Sequence, residues 1–271
     1  MLRTRLLSAA VALPLLLAAI SFLPDWGFSL MIGVLGVWGL YEIYEMAHPL
    51  STASILALLI LGLLPLIWLL GGQIFRFYPY PDAQTALKIL LSVLAIAMLN
   101  IIAVGVAGPE SIPRGPLAVA SAALYVGPLF PFFALVRNGP NGIAVLVVML
   151  LLVICADTGA YFVGRAIGRH KLAFKVSPGK TIEGAIGGIV ASIAGGLSLR
   201  PWLAPKWNIE RLIVFAGLVA IVAIIGDLAN SAFKRVAGVK DSGWIFPGHG
   251  GLLDRTCSLV FAAVLTYYYS R

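Results

Sequence analysis

Apolar runs of about twenty residues recur along this chain, broken only by short polar stretches. A hydrocarbon core of about 30 Å takes roughly 20 residues of helix to cross. Lipid offers no partner to open backbone, so a spanning segment must be a helix or part of a closed barrel. The runs are continuous rather than alternating, which selects helices. Composition agrees, with 61% hydrophobic and 11% charged residues, where soluble domains have about half and a quarter. The sequence therefore predicts an all-α, polytopic integral membrane protein.

Nine spans are expected, at about Leu6–Leu23, Gly27–Met46, Ser54–Leu70, Ala86–Val106, Leu117–Val136, Ile143–Val163, Ile182–Leu199, Leu212–Ser231 and Leu252–Tyr269. Arg3 and Arg5 before the first run imitate the basic start of a signal peptide, but its length and the missing cleavage site favour an uncleaved helix. Gly33, Gly36 and Gly39 suit close helix packing. Charged residues concentrate late in the chain. This divides it into an N-terminal scaffold region, 1–140, suited to lipid access and oligomer contacts, and a region 141–271 that carries the chemistry.

The net charge of +8 does not point to nucleic acid, because excess Lys and Arg in a membrane protein mark cytoplasmic loops and anionic headgroups. With nine spans and a cytoplasmic N-terminus, twelve of the nineteen basic residues fall inside, including the two densest basic loops. A bacterial inner membrane with the site facing the cytoplasm follows as the expectation. Cys155 and Cys257 lie in or beside apolar segments and read as packing residues rather than a disulfide or a metal motif.

Ionisable residues in spans are expensive and default to function. Asp157, Glu183, Asp227 and Asp254 all fall at the same expected end of their helices, beside the basic stretch Arg165 to Lys180 and the segment Gly226 to Arg255. Mutual neutralisation is one explanation. A site for a polyphosphate and its divalent ion is the other, and it explains the mixture better, because the metal needs acids and the phosphates need bases. Asp227, Ser231, Lys234 and Arg235 recur at helical intervals and are expected to share a face. Gly179-Lys180-Thr181 suggests a phosphate loop, yet Phe174 stands where that pattern needs glycine. What is left is a turn into a helix N-terminus, able to receive an anion or simply to be capped by Ser177 or Thr181. His249, set between Asp241 and Asp254 in a Gly-rich turn, is a candidate phosphate contact.

Gly226-Asp227, Ser231, Lys234-Arg235, Lys240-Asp241, Pro247 to Gly251 and Asp254-Arg255, in this order and spacing, resemble the signature of the phosphatidate cytidylyltransferase (CDP-diacylglycerol synthase) family. Asp157 to Tyr161 and Ser177 to Gly184 resemble two further motifs of that family. The resemblance implies a multi-span, commonly dimeric enzyme that transfers CMP from CTP to phosphatidic acid with Mg²⁺, and K⁺ in some members. It makes Asp227 and Asp254 the leading metal ligands, supported by Asp157 and Asp241. It makes Ser177, Lys180, Thr181, Lys234, Arg235, Lys240, His249 and Arg255 candidates for nucleotide or phosphate contacts. The family usually has an acid where this chain has Cys257, and often a second Lys where it has Gly179. A CTP-dependent lipid kinase and an ion-coupled transporter are the competing functions.

Overall fold

The computed structural model describes residues 14–75, 81–116, 126–203, 207–245 and 250–270. Helical residues 14–22 lead through Pro24 into α1 (Asp25–Ala47). Next, α2 (Thr52–Leu58) passes through a π-helical turn, Leu59–Leu63, into α3 (Leu64–Phe75). Then follow α4 (Ala83–Ala107), α5 (Pro131–Arg137), α6 (Gly142–Ile167), β1 (Lys171–Ala173), β2 (Ser177–Thr181), α7 (Ile182–Leu203), α8 (Ile209–Ala237) and α9 (Leu253–Ser270).

The polytopic reading holds, but the count of nine does not carry over. Among the described residues six segments are long and apolar enough to cross a membrane: Asp25–Ala47, Thr52–Gly72, Ala83–Ala107, Gly142–Ile167, Ile182–Pro201 and Ile209–Ala237. The expected first and fifth spans run partly over residues outside the description. The expected last span, α9, begins with Leu253, Asp254 and Arg255 and is more polar than the six. The fold also adds to the all-α expectation a two-stranded antiparallel hairpin, β1 with β2, where a plain turn was expected.

Local chemistry sets the helix ends. Ser51 accepts the Ser54 N–H and Asn208 accepts the Glu210 N–H, caps worth about 0.5–2 kcal/mol each. Asp82 accepts the Thr85 N–H at 2.8 Å, and hydrogen bonding from Thr85 holds its carboxyl below the usual range. Helix α8 stops at Gly238, whose φ of 74° permits the left-handed turn. There the Gly238 N–H reaches Arg235 O and the Val239 N–H reaches Lys234 O, a Schellman motif that turns the chain sharply into the loop before α9.

In lipid, helices associate through close packing rather than hydrophobic transfer, so small residues decide which pairs meet. A Cβ on Gly184 would come 2.8 Å from Ala160 O, and one on Gly188 2.7 Å from Ala156 O, so α6 and α7 touch backbone to backbone. Gly36 likewise admits Leu66 from α3, as expected for that helix. Helices α8 and α9 form the buried centre, with Phe215, Val219, Val260 and Phe261 all fully enclosed. They cross at Gly226, where any side chain would strike Cys257 O and the Phe261 ring. At the opposite end, buried Arg137 binds Asp25, Ile20 O and Leu23 O, which ties α5 to α1 and to the helix before it.

Candidate active site

The close crossing at Gly226 sets Asp227 beside the first turns of α9, and the close pairing of α6 with α7 brings Asp157 and the hairpin to the same place. A half-open cavity of about 760 Å³ results, of the size that takes a small-molecule ligand. Asp157, Asp227, Asp241 and Asp254 line it together with Arg165, Lys180, Lys234 and Arg255. Val153, Ile154, Ile224 and Leu259 supply an apolar portion of the same wall. Acids and bases from distant parts of the chain therefore converge on one cavity, as the sequence suggested.

The hairpin delivers Lys180. Val176 at its turn is 1% exposed, and its carbonyl accepts from Arg235 Nε at 3.1 Å, while Lys175 Nζ donates to Val106 O at 3.2 Å. Pinned from α8 and α4, strand β2 presents Lys180 to the cavity. Its Nζ lies 2.6 Å from Asp227 Oδ2, shielded from solvent but misaligned for a hydrogen bond. Thr181 lines the cavity and accepts the Gly184 N–H, which makes it the N-cap of α7.

Asp254 is held more tightly. Oδ1 accepts from Lys234 Nζ at 2.5 Å and from Asn230 Nδ2 at 3.4 Å, and Oδ2 accepts from the Ser242 and Gly251 N–H groups at 2.8 and 3.2 Å. The polar face that α8 turns to the site is thus Asp227, Asn230 and Lys234. Ser231 is buried beside it and is not among the cavity-lining residues. Arg235 serves the hairpin, Lys240 is exposed on the loop, and Ser177 opens β2, so none of these three lines the cavity. Glu183 accepts from the backbone N–H groups of Arg169 and His170 and from His170 Nδ1, which closes the base of the hairpin outside the cavity. His249 lies outside the described residues.

Three contributors had no signal in the sequence. Arg165, bonded to Tyr161, was one base in a basic run, and Asn230 one polar residue in a helix. Glu42, 3% exposed, falls within the expected second span, Gly27–Met46, away from every motif. It accepts instead from Trp38 Nε1, Ser242 Oγ and the N–H groups of Leu252 and Leu253, around the loop that carries Asp241 and leads into α9.

The donor set fits a hard divalent cation in one respect. Asp227 and Asp254, on adjoining helices, each already hold a cationic ammonium at 2.5–2.6 Å. Among the described residues no three His, Cys, Asp or Glu side chains form a ready cage. Mg²⁺ does not need one, because it keeps several waters and takes one or two carboxylates plus substrate phosphates.

Apolar helices, a hairpin strand and the loop before α9 bring four carboxylates and four bases into one cavity of a membrane protein, a lining whose charges suit a polyanion with its counter-cations. The chain belongs to the cytidylyltransferase family, whose family model matches residues 3–271. Over 135 residues it is 44% identical to a phosphatidate cytidylyltransferase of Synechocystis sp., covering 49% of this chain and 45% of that protein. The protein of that name from Brucella suis biovar 1 is 44% identical over 153 residues, 55% of this chain and 56% of its own. That from Staphylococcus epidermidis is 43% identical over 141 residues, 52% and 54%. The chain thus spans about half the length of the curated relatives it matches.

Proposed function

We propose that this chain transfers CMP from CTP to phosphatidic acid, giving CDP-diacylglycerol and pyrophosphate. The observation that carries the reading is the convergence of Asp157, Asp227, Asp241 and Asp254 with Arg165, Lys180, Lys234 and Arg255 in a cavity that also has an apolar wall. A lipid phosphate and a nucleoside triphosphate need those three components together. The relatives' name supplies the reaction.

In this reading a phosphate oxygen of the lipid attacks the α-phosphorus of CTP in line. A new P–O bond forms, the bond to the β-phosphate oxygen breaks, and pyrophosphate leaves. The lipid phosphate is already ionised near neutral pH, so no side chain has to remove a proton. Lys180, Lys234, Arg165 and Arg255 bind and orient the phosphates and offset charge that develops on the leaving group. Asp227 and Asp254, with Asp157 and Asp241 behind them, would hold Mg²⁺, which supplies charge neutralisation between phosphates. For Asp254 to do so, the Lys234 ammonium must withdraw, and it then becomes available to phosphate. A K⁺ ion is part of the same proposal.

The membrane is proposed to be the bacterial inner membrane, with the cavity open to the cytoplasm, a reading supported by the density of Lys and Arg in 165–180 and 234–255. A homodimer, with residues 1–140 supplying scaffold and contacts, completes the proposal, and cross-linking in native membranes tests it. The reaction is tested by supplying purified protein with phosphatidic acid, Mg²⁺ and CTP labelled at the α or the γ phosphate. Label in the lipid from α-labelled CTP alone supports CMP transfer. Label from γ-labelled CTP would identify a lipid kinase, and no lipid label from either would overturn the reading.

A further inference from the structure

We infer that Glu42, on the first described helix long and apolar enough to cross a membrane, is a positioning residue for the part of the site that carries Asp241 and Asp254, about two hundred residues later in the chain. Both its oxygens are used. Oε1 accepts from Leu252 N at 2.7 Å and from Trp38 Nε1 at 3.2 Å, and Oε2 accepts from Ser242 Oγ at 2.9 Å and from Leu253 N at 3.0 Å. All four partners are donors. Two are among the N–H groups that the N-terminus of α9 leaves without helical partners, so the carboxylate caps that helix from another segment and meets the positive end of its dipole.

The geometry binds this cap to the cavity. Ser242 donates its hydroxyl to Glu42 and its N–H to Asp254, so one residue is held from both sides. Asp254 also accepts the Gly251 N–H, one residue before the Leu252 N–H that Glu42 accepts. The two carboxylates therefore grip both ends of the segment 242–251 between them. The fit is close, since a Cβ on Gly243 would come 2.8 Å from Glu42 Oε1 and one on Gly251 2.5 Å from Glu42 Oε2. Asp241 adjoins one end of this segment, Asp254 follows the other, and both line the cavity. Glu42 itself is not among the lining residues. Its action reaches the substrates through where it sets Asp241 and Asp254, and in that catalytic consequence the inference rests on the function proposed above.

The E42Q variant keeps shape but replaces one acceptor oxygen by a donor NH₂ group, which then opposes donors. Hydrogen exchange on the full chain in lipid nanodiscs should show amide protection at Ser242 and at Gly251 to Leu253 falling about tenfold or more, with α6 and α7 unchanged. In CMP transfer, kcat per folded enzyme should fall by about 10–100-fold and half-saturating Mg²⁺ should rise, as for other residues that orient ligands from behind. The S242A variant, which deletes only the bridging hydroxyl, should show a smaller change of the same kind and serves if E42Q does not fold. Unchanged protection in both variants overturns the inference, and so does a loss of activity that only tracks the amount of folded protein. Wild-type protein without CMP transfer would defeat the proposed function and leave the exchange measurement to decide the role of Glu42.

Discussion

Lys180, from the strand that leads into α7, and Asp227, from within α8, meet across the cavity with Nζ 2.6 Å from Oδ2. The ammonium balances the Asp227 carboxylate and would compete for it with the metal ion proposed for the site. Lys180→Met should therefore act in two directions. The rate constant kcat for CMP transfer should fall by about 10²–10³-fold through lost phosphate stabilisation, while half-saturating Mg²⁺ falls because Asp227 has lost its competitor. Steady-state kinetics with α-labelled CTP across a Mg²⁺ series checks both.

Asp227→Asn keeps the shape of the side chain and removes the charge that Lys180 answers. CMP transfer should drop at least about 10²-fold, on the scale of losing one main electrostatic group of an active site. The melting temperature should fall less than for a fully buried pair, because the Asp227 side chain is 39% exposed and solvent screens the charge left on Lys180. Near-normal turnover would remove Asp227 from the metal site.

Lys234 and Asp254 are a different kind of pair, with side chains only 13% and 5% exposed. Lys234→Met should destabilise the fold by about 3–5 kcal/mol, since it strands a buried carboxylate with neutral donors only. The double variant Lys234→Met, Asp254→Asn should regain part of that loss without regaining activity. Thermal unfolding in detergent, read against activity, separates the two effects.

Cys257 is 3% exposed and its Sγ lies 3.8 Å from Asp227 Oδ1, on the cavity wall. Cys257→Asp would set a second carboxylate beside the first. In chelator the variant should melt about 2–4 °C or more below wild type, a shift equivalent to roughly 1 kcal/mol. Added Mg²⁺ should reverse the difference and saturate at lower concentration than in wild type. A melting curve with and without Mg²⁺ is the measurement.

Gly226→Ala tests the packing beneath the site. The added methyl group would meet Cys257 O and come 2.7 Å from Phe261 Cδ2, so α8 and α9 must separate. Overpacking of this kind costs about 1–3 kcal/mol. Activity should fall further than stability, because the same crossing aims Asp227.

Where a helix lies in lipid could be read from its own residues, because the membrane imposes length and polarity locally. The expected Ile143–Val163 and Ile182–Leu199 correspond to α6, Gly142–Ile167, and α7, Ile182–Leu203. Asp157, Asp227, Asp241 and Asp254, with Lys180, Lys234 and Arg255, could be read for a related reason, since charge is rare in such a chain and stands out. Partnership could not be read. Nothing near Glu42 in the sequence reveals that three of its four donors lie 200 or more residues away. Helical spacing set Ser231 beside Asp227, whereas the packing of α8 against α9 brings Asn230 to Asp254 and leaves Ser231 buried beside the cavity. The hairpin was hidden because its strands are three and five residues long and are fixed by Arg235 and Lys175 rather than by their own periodicity.

The cap that Glu42 places on α9 also has a consequence in time. At about 5–20 residues per second, synthesis of the 200 residues between Glu42 and Ser242 takes roughly 10–40 s. Through that interval α1 carries an acid that lipid penalises and whose main donors do not yet exist. Three of the four donors to that acid, Ser242, Leu252 and Leu253, come only with the last part of the chain. An early helix and the last one thus share a single carboxylate, so the hydrogen bonds of Glu42 are completed only once the chain is made through Leu253.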